Sequence, residues 1–69
     1  MRLRDLIRLT GSCQKIIILN DERDKELFRG DAVDLISDFY NHLLICEITF
    51  VVSRIEEDGL DYLVIDLDV

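Results

Sequence analysis

No proline interrupts this chain, so the ending of helices and strands falls to glycine and asparagine. Cysteine is scarce. Cys13 and Cys46 stand alone, with no Cys-x-x-Cys and no Cys/His cluster, which excludes the common zinc patterns and a disulfide framework. Both sit beside apolar residues and read as buried, reduced thiols of a cytoplasmic protein. No apolar run approaches the ~20 residues that a membrane span needs, and no signal-peptide pattern is present. Basic residues are few. Eight Lys and Arg face fifteen Asp and Glu, for a net charge of −7. Such a surface repels nucleic-acid phosphate and suits a basic protein partner or mimicry of phosphate.

What is present is apolar. Hydrophobic residues make up 49% of the 69 positions, enough for one small core over residues 1–69. A chain this short also gains by burying leftover apolar surface against a partner. The cations are placed unevenly. Arg2, Arg4, Arg8 and Lys15 against Asp5 make the first fifteen residues positive, and the remainder is strongly acidic.

The pivot of the chain is Leu27-Phe28-Arg29-Gly30-Asp31-Ala32. Two apolar residues end a strand, Gly30 turns the chain with a positive φ, and Asp31 caps a helix. Before it, Leu3, Leu6, Ile7 and Thr10 fall at helical spacing with no good N-cap, and Gly11 ends that helix in a left-handed conformation. Lys15-Ile16-Ile17-Ile18-Leu19 reads as a well-covered strand, returning through a turn of about five residues as Lys25 to Arg29. After the pivot, Ala32, Leu35, Ile36, Phe39 and Leu43 define one face of a second helix, ending at Asn41 and His42.

The final third alternates with period two. Cys46, Ile48, Phe50 and Val52 form one face of a strand, and Leu63, Ile65 and Leu67 form the same face of the next. A four-residue loop, Glu56-Glu57-Asp58-Gly59, pairs Val52 with Leu63 and Arg54 with Asp61 and keeps the apolar faces together. A loop of odd length does so only with a bulge. The expected fold is α+β, in the order α-β-β-α-β-β. It comprises one mostly antiparallel four-stranded sheet with two helices on one face.

Candidate sites are few. His42 has Asp38 four residues earlier, a pairing that suits helix-end capping better than catalysis or metal binding. Asn20, Glu22 and Asp24 alternate like calcium-loop ligands, but Lys25 replaces the required glycine and Asp31 the closing glutamate. Asp66 and Asp68 share a strand face with no nucleophile, oxyanion donor or phosphate-binding loop beside them. Arg4 and Arg8 lie one turn apart, with Asp5 and Arg8 able to pair. No cofactor or metal site is expected, and the chain is not expected to be an enzyme.

Leu3-x-x-Leu6-Ile7, Ile16-x-Ile18, an acidic turn, Leu27-Phe28-x-Gly30, Asp34-Leu35 and a closing Leu63-x-Ile65-x-Leu67 run the length of the chain. In these features it resembles a set of small uncharacterised proteins of Gram-positive bacteria, their phages and conjugative elements. The resemblance implies a fold and a genomic setting, and carries over no functional residue.

The expected function is therefore a small non-enzymatic protein-interaction module, an accessory protein of a phage or mobile element. The alternative is an acidic nucleic-acid mimic that inhibits a DNA-processing enzyme. On the second hairpin the face turned from the helices is expected to carry Val51, Ser53, Ile55, Tyr62 and Val64, rimmed by Glu47, Asp66 and Asp68. That is an apolar patch with an acidic margin. Its expected occupant is a second copy or another protein, with no direct contact to nucleic acid or membrane.

Overall fold

The computed structural model describes residues 1–11, 13–20 and 25–68. Four strands, β1 (Lys15–Asn20), β2 (Lys25–Asp31), β3 (Glu47–Ile55) and β4 (Asp61–Asp68), make one sheet in the order β2-β1-β4-β3. The α+β class holds. The sheet is mixed, however, and not mostly antiparallel. Each hairpin is antiparallel, but the two join through β1 and β4 running parallel. The reason lies in burial. Ile16, Ile17 and Ile18 of β1 are buried on both faces, as are Val64 and Ile65 of β4. Strands apolar on both sides belong in the middle of a sheet, and only the β1–β4 contact gives both hairpins that arrangement.

The helices are short and cover one face. They are α1 (Leu3–Leu9), α2 (Ala32–Leu35), a 3-10 turn (Asp38–Tyr40) and α3 (Asn41–Leu44). Leu3 and Ile7 of α1, Ala32 and Leu35 of α2, and Leu43 of α3 close over Ile16, Ile18, Phe28, Ile65 and Leu67. The single second helix expected from periodicity is broken at Ile36–Ser37, where Ser37 is extended (φ −152°, ψ 161°). Val33 and Ile36 are β-branched, and Ser37 and Asp38 favour caps over helix interiors, so the segment has weak local reason to continue. The break leaves Ile36 and Phe39 exposed and brings Tyr40 edge-on to Phe28, with ring centroids 5.0 Å apart.

Two termini differ from expectation. At the start of α1 the Asp5 carboxylate accepts the Arg2 N–H at 3.2 Å, which supplies the missing cap. At its end Thr10, not Gly11, closes the helix. Thr10 donates its N–H to Leu6 O and its hydroxyl to Ile7 O, and Gly11 is not left-handed. Gly30 does have positive φ, at 153°, but within β2 and not in a turn.

The β3–β4 register also departs from expectation. Glu56 and Leu60 pair through Glu56 N–H to Leu60 O at 3.1 Å, leaving an odd loop of residues 57–59 with Gly59 at φ 79°. This is the three-residue hairpin that places glycine in the left-handed position. Val52 consequently pairs with Val64, Arg54 with Tyr62 and Ser53 with Leu63. A bulge between Ile48 and Phe50 then restores Ile48 to the helix side opposite Leu67. The apolar face expected for β3 is thereby divided: Ile48 lies on the helix side, and Phe50 and Val52 on the other.

Candidate functional site

The face turned from the helices has its own small apolar cluster of Ile17, Tyr62 and Val64, with Leu19 packed beside it. Ile17 is 0% exposed although no described helix or strand is layered over it. Long charged side chains roof it instead, laying their stems on apolar surface while their heads stay wet. The Arg29 guanidinium lies 5.6 Å from the centroid of the Tyr62 ring. It is held by Glu26 at 2.7 Å and Glu56 at 3.1 Å, and Arg54 takes the same Glu56 at 2.6 Å. The Tyr62 hydroxyl donates to Asp58 at 2.9 Å, and Lys15 pairs with Asp31 at 2.6 Å.

These contacts shift the ionisable groups. The Arg54 and Arg29 guanidiniums hold the Glu56 carboxyl below its ordinary range. The Leu60 N–H and then the Tyr62 hydroxyl lower Asp58, and Asp58 in turn raises Tyr62. Hydrogen bonding to Asp31 raises Lys15.

The residues expected to form one patch are thus separated. Tyr62 and Val64 lie on this face but are buried beneath the charged roof. Val51, Ser53 and Ile55 lie on the helix side of the sheet, opposite Ile65, Leu63 and Asp61. The odd loop is the cause, because one residue of register exchanges every side chain between faces. The acidic rim stays together. Glu47 pairs with Asp68, and Asp66 lies next along the same face, opposite Phe50.

What the sheet does present is an edge. β3 is its longest strand and, among the described residues, pairs along its length with β4 alone. Among the described residues its outer side is occupied only at its start, where Ile48 N–H donates to Met1 O at 2.8 Å and Leu3 N–H to Cys46 O at 3.0 Å. Beyond that point, Phe50 (58% exposed), Val51, Val52 and Ile55 (73%) stand in solvent on both faces. Past the bulge that begins it, the free stretch contains no proline, lysine or carboxylate to discourage edge pairing.

A second concavity lies between α1 and α3. Arg4, Ile7 and Arg8 face Ile36, Asn41, Leu44 and Ile45 around a cavity of about 280 Å³. Asp5, which was able to pair with Arg8, accepts the Arg2 N–H instead. Among the described residues neither Arg4 nor Arg8 makes an ion pair.

The remaining candidates stay apart. His42 is exposed and joins Asp38 by no bond among the described residues, since the helix expected to carry both is broken. The acidic turn at residues 21–24, with Glu22 and Asp24, lies outside the described residues. Among those described, no three His, Cys, Asp or Glu side chains gather as a metal site would require, and no helix is long and apolar enough to cross a membrane. Cys13 is exposed, contrary to expectation, because the segment after α1 leaves the core. Cys46 is partly buried, and burial pushes its thiol up.

Comparison with protein-family models, with curated proteins and with solved structures finds no match to this chain.

Proposed function

We propose that the chain is a small non-enzymatic protein-interaction module whose contact surface is the free edge of β3. One observation carries this reading: the longest strand of the sheet ends the sheet, with Phe50, Val51, Val52 and Ile55 in solvent along it. An unpaired strand edge offers main-chain donors and acceptors, and apolar side chains on both faces add area to whatever pairs there. Its setting as an accessory protein of a phage or mobile element rests on the sequence resemblance alone. The acidic-mimic alternative has less support. Asp31, Glu26 and Glu56 are occupied by Lys15, Arg29 and Arg54 and do not stand free as a phosphate-like row.

The test is site-specific photo-crosslinking in Gram-positive cells that produce the chain. The probe replaces Ser53 on the β3 edge or, as control, Lys25 on the opposite edge of the sheet. Discrete adducts from position 53 and none from position 25 are expected. Absence of any adduct from position 53 removes the edge as a contact surface.

A further inference from the structure

We propose that the partner of this edge is a second copy of the chain. Two β3 strands pair antiparallel across a two-fold axis at Val52, and the two four-stranded sheets become one continuous sheet. The inference rests on the reading of β3 as the contact surface and adds the occupant and its register.

The register follows from three constraints. First, directly opposed residues in an antiparallel pair share a face, and a two-fold axis normal to the sheet preserves faces. Phe50, Val52 and Arg54 lie on one face, and Val51, Ser53 and Ile55 on the other. Self-pairing can therefore centre on Val51, Val52 or Ser53, but not between residues. Second, residues 1–3 already occupy the outer edge at Cys46 and Ile48. A centre at Val51 would set Arg54 and Ile55 of the second copy against Ile48 and Glu47 in that occupied segment. Third, a centre at Ser53 sets Phe50 against Glu56 of the second copy and leaves the start of the free edge unpaired.

The centre at Val52 uses the whole free edge, residues 49–55. Val52 meets its own symmetry mate, Val51 meets Ser53, and Phe50 meets Arg54, twice each. The Phe50–Arg54 pairing places a guanidinium beside an exposed ring on the same face of the sheet. Charge also favours a second copy at this place. The chain carries −7, yet residues 49–55 contain no carboxylate and a single cation, Arg54, so two copies meet where neither is negative.

Sedimentation equilibrium over a concentration series tests the pairing, and cysteine crosslinking tests the register. The wild-type chain is expected to dimerise. Val52→Lys opposes two ammonium groups across the axis and is expected to weaken the dimer by about tenfold or more, with an unchanged circular dichroism spectrum. In a Cys13→Ser, Cys46→Ala background, Val52→Cys is expected to oxidise to a disulfide-linked dimer. Val51→Cys alone should not, whereas Val51→Cys mixed with Ser53→Cys should give the heterodimer. Efficient crosslinking of Val51→Cys alone would overturn the register. A wild-type chain still monomeric at about 1 mM would overturn self-pairing. In that event, adducts from position 53 to a different protein would leave the interaction-module reading standing, and their absence would remove both.

Discussion

Arg29 sits over the ring of Tyr62, its guanidinium carbon 5.6 Å from the ring centroid, and so closes a sheet face that no described helix covers. The contact joins the edge strand β2 to the central strand β4 across β1, with Glu26 and Glu56 fixing the guanidinium from either side. It explains why Tyr62, which the sequence pattern places in an exposed apolar patch, is 6% exposed.

Removing the roof is expected to open the cluster beneath it. Arg29→Ala should expose Ile17, Tyr62 and Val64, lower the urea midpoint and raise the fluorescence of a dye that binds apolar surface. Arg29→Lys keeps a stem and a charge but cannot pair with Glu26 and Glu56 through two separate nitrogens of a planar guanidinium, and should fall between. A midpoint and dye signal unchanged by Arg29→Ala would mean that the cluster is sealed by something other than this side chain.

The Asp58–Tyr62 hydrogen bond should impose a plateau of stability with a limb on each side. Asp58 is lowered in the folded chain, so its contribution is present above the ordinary carboxylate value of about 4 and is lost as pH falls through the lowered one. Tyr62 is raised, so its contribution is complete below about 10 and is lost as pH rises through the raised value. Tyr62→Phe should remove the alkaline limb that this hydroxyl causes and reduce the acid limb. Unfolding midpoints from pH 3 to 11 for both chains measure it. Superimposable profiles would show that the bond contributes nothing in solution.

Gly30 adopts φ 153° inside β2, where the ring of Phe28 stands over it. A β-carbon there would lie 3.5 Å from Phe28 Cζ, an ordinary contact, so the backbone conformation and not crowding demands glycine. Gly30→Val is expected to destabilise the chain by at least about 1 kcal/mol, and Gly30→Ala by a similar amount. Equal midpoints for wild type and Gly30→Ala in urea would show that this conformation carries no strain.

Much of the fold was legible because its causes are local. The Ile16-Ile17-Ile18 run is buried on both faces as a well-covered strand should be. The helix around Leu3 and Ile7 and the pair of strands near residues 47–68 follow from spacing alone. Gly30 announces a positive φ by being the residue that tolerates one. The helix from Ala32 was legible only in its first turn. Periodicity continued through Ile36 and Phe39, while Ser37 and Asp38 offered a competing capped conformation, and packing of Tyr40 against Phe28 accompanies the break.

The surface was less legible, because it depends on register and on neighbours distant in sequence. Gly59 did carry a local signal for an odd three-residue hairpin, but an odd loop keeps the apolar faces together only with a bulge, and the bulge that β3 makes between Ile48 and Phe50 has no signal of its own in the sequence. That one residue moved Val51, Ser53 and Ile55 to the face opposite Tyr62 and Val64, since side chains alternate along a strand. Which strand ends the sheet is not written in any one segment. By itself the sequence determined the elements and the two central strands, through local spacing and the apolarity of their side chains. Only the tertiary structure decided that the hairpins join through parallel β1 and β4, that Arg29 seals Tyr62, and that β3 is left with a free edge. Those outcomes depend on burying two hairpins and three short helices together, a competition among long-range contacts that no local pattern encodes.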